Sequence, residues 1–133
     1  MPVDSNNVAK VAILSKDNIL VLHRTDNKKK DLPGGHLHIG EDEVVGIIRE
    51  VYEETKLTLL ALDKIISYKN KVLFESKNFD GVIDLDLNEN YKYEWMDVQS
   101  FLGIDSSEST DVIIAYQAYL LEDPKFWKNL RVK

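Results

Sequence analysis

The chain contains no cysteine in 133 residues. Disulfides, thiolate metal sites and cysteine nucleophiles are therefore excluded, and a reducing, cytoplasmic setting is expected. Long apolar runs are missing too. The longest, Val11 to Leu14 and Val112 to Tyr116, fall far short of a bilayer span, so no membrane segment is expected. The N-terminus lacks the basic-then-apolar pattern of a secretory signal. Positive charge is not in excess: 17 Lys and Arg stand against 23 Asp and Glu, a net charge of −6. That balance argues against a protein that wraps duplex nucleic acid with a basic surface. Proline is limited to three residues and glycine to six, and the strongest breaker is Pro33-Gly34-Gly35. There is no repeat, low-complexity tract or linker, and the length predicts one domain over residues 1–133.

What is present is ordinary for a globular domain: 44% hydrophobic and 30% charged residues. Val8 to Leu14 and Asn18 to Arg24 are β-rich runs separated by a polar turn, which predicts a hairpin. Residues 25–31 read as a charged loop. Helical spacing runs from about Glu41 to Lys56, with no proline and a single glycine, Gly46. Strands are predicted at Ile65 to Tyr68, Lys71 to Phe79, Val82 to Leu87 and Tyr91 to Met96. Asp80-Gly81 is a suitable two-residue hairpin turn. A second helix is predicted from near Asp105 to Ser109, with Val112, Tyr116, Tyr119 and Leu120 on its apolar stripe, ending before Pro124. Strands mixed with two helices predict an α/β sheet with helices on its faces.

Acidic residues are concentrated. Residues 34–57 hold Glu41, Asp42, Glu43, Glu50, Glu53 and Glu54 against Arg49 and Lys56, and residues 84–97 hold five acids against Lys92. Two such clusters are best explained by a cation between them. On a helical wheel with Glu50 at the origin, Glu54 falls near ~40° and Glu53 near ~300°, while Val51, Val44, Thr55 and Ile48 fall between ~100° and ~160°. Three carboxylates would then share one face, well away from the apolar one. Locally this is unfavourable: the Glu50/Glu54 like-charge pair costs roughly 0.2–0.5 kcal/mol. Anions in the last turn oppose the helix dipole by roughly 0.3–1 kcal/mol each. A solvated Glu-rich face would tolerate that cost. A hard divalent cation, taking carboxylates, water and phosphate oxygens, would reverse it.

The spacing of these acids is specific. Gly35 is followed by five residues, Glu41, seven residues, and then Arg49-Glu50-Val51-Tyr52-Glu53-Glu54-Thr55-Lys56-Leu57. This closely resembles the Nudix box, G-x5-E-x7-R-E-U-x-E-E-x-G-U, where U is a bulky aliphatic residue. Every charged position matches, as do Gly35, Val51 and Leu57. Lys56 departs, standing where the family has a glycine that ends the helix in a left-handed conformation. It would cost roughly 1 kcal/mol there or give the turn another shape. Leu32-Pro33-Gly34-Gly35 resembles the usual lead-in to the box. Asp86-Leu87-Asn88-Glu89 followed by Glu94-Trp95-Met96 resembles the acidic loop and strand that many members carry after it. The resemblance covers most of residues 8–102.

It implies a Nudix α/β/α sandwich, a mixed sheet carrying the box helix and a C-terminal helix. It further implies a Mg²⁺-dependent hydrolase, with Mn²⁺ able to substitute. Such an enzyme would cleave a phosphoanhydride bond in a nucleoside diphosphate linked to another moiety, by attack of water on phosphorus. By position in the motif, Glu50, Glu53 and Glu54 would ligate the ion together with the Gly34 carbonyl. Arg49 would orient the carboxylates. Glu41 would anchor the loop or hold a second ion. Glu53 and Glu89 are equal candidates for the general base, Glu89 alternatively holding the water. Arg24, at the end of its strand, Gly35 and Glu41 would lie beside the substrate, expected to be a small-molecule nucleotide. A homodimer is left open.

Other readings compete. A non-catalytic Nudix module would be expected to lose box carboxylates, and all are present. The isomerase on this fold in its best-known form needs a cysteine. RNA decapping fits poorly with the acidic balance. His36 and His38 alternate as exposed loop residues do. Lys28, Lys29 and Lys30 read as a solvated loop. Most of Tyr68, Phe74, Phe79 and Tyr91 are expected in the core. Asp84-x-Asp86-x-Asn88 imitates a calcium loop but lacks its Gly and its final Glu. Val72 to Glu75 carry neither the ADP-ribose nor the diadenosine polyphosphate marker, so the substrate itself is not fixed.

Overall fold

The computed structural model describes residues 3–121. Seven strands form a mixed sheet: β1 (Asp4–Ser15), β2 (Asn18–Arg24), β3 (Lys30–Asp31), β4 (Gly34–His38), β5 (Thr58–Tyr68), β6 (Lys71–Asp80) and β7 (Asn90–Asp97). The main path runs β3-β2-β1-β6-β5, with β4 against β1 and β7 against β2. The β1/β6 pair is parallel, Ala9 opposite Val72 and Ile13 opposite Ser76. Helix α1 (Glu43–Thr55) lies on one face; a short α2 (Val98–Leu102) and α3 (Asp111–Leu121) lie on the other.

Strand alternation makes this sandwich. Ala9, Val11 and Ile13 of β1 pack toward Ile47 and Val51 of α1. Ala12, with Ile19 and Val21 of β2, packs toward Phe101, Val112, Ile113 and Tyr116. Two cores thus share one sheet, as the α/β/α expectation requires. The Val8–Leu14/Asn18–Arg24 hairpin forms as predicted, with β1 extended at both ends. On α3, Val112, Ile113, Tyr116 and Gln117 are buried, and Tyr119 and Leu120 pack at the margin. The predicted stop before Pro124 lies outside the described residues.

Four expectations need correction. The predicted strand Val82 to Leu87 is irregular chain. Its alternate backbone N–H groups, Asp84 and Asp86, donate at 2.9 and 3.1 Å to the Thr55 and Glu54 carbonyls, which the end of α1 leaves without helical partners. Ile83 and Leu85 lean on the α1 core while Val82 and Leu87 stay exposed. Asp80-Gly81 is therefore no hairpin turn; Gly81, at φ 109°, carries the chain past the Lys56 carbonyl. The strand before the Lys69-Asn70 turn starts at Thr58, seven residues earlier than Ile65. Finally, the charged loop 25–31 ends in β3, and the breaker Gly34-Gly35 opens β4.

Candidate active site

Helix α1 begins at Asp42, whose side chain accepts hydrogen bonds from the Val44 and Val45 N–H groups. It ends at Lys56, which adopts the left-handed conformation (φ 67°, ψ 10°). Lysine thus keeps the turn shape the box glycine would have, and its ammonium lies 5.3 Å from the Tyr52 ring centroid. The buried face is Gly46, Ile47, Val51, Glu54 and Thr55, while Val44 is exposed. This arc is turned toward Glu50 relative to the expected stripe. The three box carboxylates consequently do not share one solvated face.

Glu54 is buried, 6% exposed. Its Oε1 accepts the Gly34 backbone N–H at 3.0 Å and its Oε2 accepts the Asn90 side-chain amide at 3.1 Å. Gly34 packs this tightly on β1 because it has no side chain: at its φ of 136°, a Cβ would sit 2.1 Å from the Ala9 carbonyl oxygen. Burial pushes the Glu54 carboxyl up to about 7, against the Lys10 ammonium and the Gly34 N–H, which favour the anion.

Glu50 is half-buried, and burial raises its carboxyl against the pull of Arg49, with Glu53 and Glu89 adding to the rise. Its carboxylate fills the place where a Gly35 side chain would be, since a Cβ there would lie 2.6 Å from Oε2. Glu53 points outward, its side chain 52% exposed. Arg49 collects the rest. Its Nε and Nη2 donate to the two Glu41 oxygens at 2.8 and 3.0 Å, and its Nη1 donates to Glu50 at 3.1 Å and to Glu53 at 2.8 and 2.9 Å. The bonds from Arg49 hold Glu41 at about 2, and Glu41 Oε1 also accepts the His38 N–H.

A cleft of about 620 Å³ opens beside these groups, lined by the acids Glu50, Glu54, Glu89 and Asp31, by Gly34 and Gly35, and by Lys10, Arg24 and Thr110. The two acidic clusters thus meet at one cleft through Glu50, Glu54 and Glu89. One cation already there is Lys10. Its ammonium donates to Asp31 Oδ2 at 2.8 Å and reaches the Gly34 carbonyl at 3.5 Å. Burial disfavours its charge, but Asp31 and Glu54 hold it protonated. Asp31 in turn binds Arg24, the Leu32 N–H and the Thr110 hydroxyl, and these cations and donors keep it ionised in spite of burial. Arg24 also grips both oxygens of exposed Asp26 at 2.9 and 2.7 Å.

Of the expected site residues, the structure brings Gly34, Gly35, Glu50, Glu54, Glu89 and Arg24 to the cleft. Arg49 and Glu41 stand behind it, and Glu53 faces away on Arg49. His36 lines the cleft as well. Lys28 lies over Tyr91 and Lys30 pairs with Glu108. Phe74 is buried and Phe79 stacks on Trp95, but Tyr68 and Tyr91 are largely exposed. Sequence reasoning missed Lys10, Asp31 and Asn90. A lysine inside the apolar run Val8 to Leu14 was the available signal for the first.

The donors at the acidic end are all oxygens, the chemistry of a hard cation. The room left at Gly35 for a carboxylate and the buried, crowded Glu54 fit one. Among the described residues, however, no three acidic or histidine side chains are gathered closely enough to hold an ion; Glu53 is bonded to Arg49 instead.

The NUDIX domain profile matches residues 5–116. A MutT-like protein of Streptomyces ambofaciens is 36% identical over 69 residues, 52% of this chain and 45% of that relative, so the match spans under half of the relative's length. An RNA pyrophosphohydrolase of Pelagibacter ubique (strain HTCC1062) is 27% identical over 86% of this chain and 85% of its own. The MutT Nudix hydrolase structure from Burkholderia pseudomallei superposes with a TM-score of 0.73 at 15% identity, covering 83% of this chain and 93% of its own. The box residues around the cleft, the sandwich fold and the profile match over residues 5–116 agree: the chain belongs to the NUDIX domain family.

Proposed function

We propose that this chain is a divalent-cation-dependent pyrophosphohydrolase acting on a nucleoside diphosphate linked to another moiety: a nucleoside triphosphate, a nucleotide sugar or a dinucleotide. The observation that carries the reading is the buried Glu54 carboxylate, facing the same cleft as Glu50 and Glu89 beside the Gly34-Gly35 backbone. Glu50, Glu54 and, once released from Arg49, Glu53 would hold Mg²⁺ or Mn²⁺ with help from the Gly34 carbonyl. The ion would neutralise phosphate oxygens, the main requirement of phosphoryl and nucleotidyl transfer. Arg49 fixes Glu50 and Glu41 through charge-assisted bonds. Glu89 or Glu53 accepts a proton from the water that attacks phosphorus. The P–O–P bond breaks, and the departing phosphate carries the electron pair of the broken bond. Lys10 and Arg24, held by Asp31, would offer positive charge to substrate phosphate oxygens beside the ion.

A panel of nucleoside triphosphates, nucleotide sugars and dinucleotides, assayed with Mg²⁺ for released phosphate, pyrophosphate or mononucleotide, tests this. Turnover of any that is lost in Glu54→Gln supports it, and no turnover across the panel overturns it. A second reading has one observation behind it: the P. ubique relative is named an RNA pyrophosphohydrolase. A 5′-triphosphorylated oligoribonucleotide in the same panel distinguishes the two.

A further inference from the structure

We propose that Asn90 is a positioning residue for the Glu54 carboxylate, and that it ties that carboxylate to the loop carrying Glu89. The inference rests on the reading of Glu54 as a cation ligand and goes beyond it, because Asn90 is outside the box.

As a residue next to a loop acid, Asn90 reads in the sequence as a turn former. The structure places it otherwise. It is 3% exposed and is the first residue of β7. Its backbone N–H donates to the Asp86 carbonyl at 3.1 Å, and its side-chain amide crosses to Glu54 Oε2, 36 residues back in the chain. A buried carboxylate needs donors on both oxygens. Gly34 supplies one from the backbone and Asn90 supplies the other from a side chain. Together they fix the plane of the carboxylate, so its remaining lone pairs stay aimed at the cleft.

The same residue adjoins Glu89. The Glu89 carbonyl accepts the Thr25 N–H at 2.8 Å, and the Asp86 N–H donates to the Glu54 carbonyl. The backbone that carries Glu89 is therefore clamped between β2 and the end of α1, and Asn90 is the one side chain in that clamp that touches a box carboxylate. Partners of this kind behind ion-binding side chains typically matter by roughly 10- to 100-fold in ion affinity or activity.

The test is Mn²⁺ binding to the full chain without substrate, followed by electron paramagnetic resonance, in wild type, Asn90→Leu, Asn90→Ala and Glu54→Gln. Turnover and thermal unfolding are measured alongside. The leucine variant keeps the bulk and removes the donor. Should it fail to fold, the smaller alanine variant carries the measurement. The expected result is Mn²⁺ affinity reduced by roughly 10-fold or more in a folded Asn90 variant, with a lower kcat and little change in KM. A structural role alone would lower the unfolding temperature and leave Mn²⁺ affinity untouched. Folded Asn90 variants that bind Mn²⁺ like wild type, while Glu54→Gln binds it weakly, overturn the role of Asn90 and leave the ligand reading standing. Wild-type binding by Glu54→Gln, or none by wild type itself, overturns both.

Discussion

The Gly34 backbone N–H donates to Glu54 Oε1 at 3.0 Å, joining the residue just before the box to the last carboxylate within it. This bond and the one from Asn90 leave Glu54 buried with neutral donors on both oxygens, and the nearest opposite charge, Lys10, is shared with Asp31. The site therefore holds a carboxylate that is costly to ionise in the chain alone.

The first prediction follows from that cost. Glu54 has its carboxyl raised from 4.5 to about 7 in the folded chain. Between those values the folded state holds a proton that the unfolded state has lost, so this group's contribution to stability falls as pH rises from about 4.5 to about 7. In the metal-free protein, Glu54→Gln is expected to be more stable than wild type at pH 8 by up to about 3 kcal/mol. The gain should vanish below about pH 4.5. Denaturant unfolding of both proteins in chelator across this range measures it. A glutamine variant less stable than wild type at pH 8 would sink the assignment.

Arg49 supports a second prediction. One guanidinium reaches Glu41, Glu50 and Glu53 together. Lysine is a single point charge and cannot span all three. Arg49→Lys should lose roughly 1–3 kcal/mol of stability, because it leaves the largely buried Glu41 carboxylate short of donors. Chemical denaturation reads this directly, and a variant as stable as wild type would show that the network contributes nothing.

Much of this was legible in the sequence because the box fixes charge positions by spacing, and the fold follows from alternation in β1 and β2. What was not legible has physical causes. Hydropathy alone puts Val44 on the core side of α1 and Glu54 outside. Packing reversed both, since Glu54 found donors from Gly34 and Asn90. Val82 to Leu87 alternates like a strand, yet the free carbonyls at the end of α1 claimed its N–H groups. Lys10 and Asp31 lie 21 residues apart, and no local pattern announces that they pair.

Glu53 stands out among the box acids because its side chain is about half exposed and, among the described residues, is held by Arg49 alone. Glu53→Gln should leave thermal stability unchanged or slightly raised, by relief of like charge near Glu50, while lowering kcat by orders of magnitude. A variant with near-native turnover would remove Glu53 from the reaction.

Activity should require Mg²⁺ or Mn²⁺ and disappear with a chelator while the fold survives, because both cores are built from apolar side chains. Circular dichroism with and without chelator checks the second half. An enzyme that responds to Zn²⁺ and not to Mg²⁺ would contradict the oxygen-only donor set.

Glu89 gives the last prediction. It lies outside the box, in the irregular segment before β7, and it is exposed and lines the cleft together with Glu50 and Glu54. Its backbone is not loose: Thr25 donates to its carbonyl, and its own N–H donates to the Asp86 carbonyl at 3.0 Å. Any motion that brings the carboxylate onto the attacking water must therefore come mainly from side-chain rotation. A base that acts by rotation contributes to turnover and little to ion binding, which would fall to Glu50 and Glu54. Glu89→Gln should then cut kcat strongly with little change in KM or in Mg²⁺ affinity. Glu94→Gln should act less on turnover, since Glu94 is bonded to His23 at 3.0 Å rather than facing the cleft. If Glu89→Gln keeps more than about a third of native kcat, a barrier change below about 1 kcal/mol, the base is to be sought on α1, with Glu53 as the first candidate.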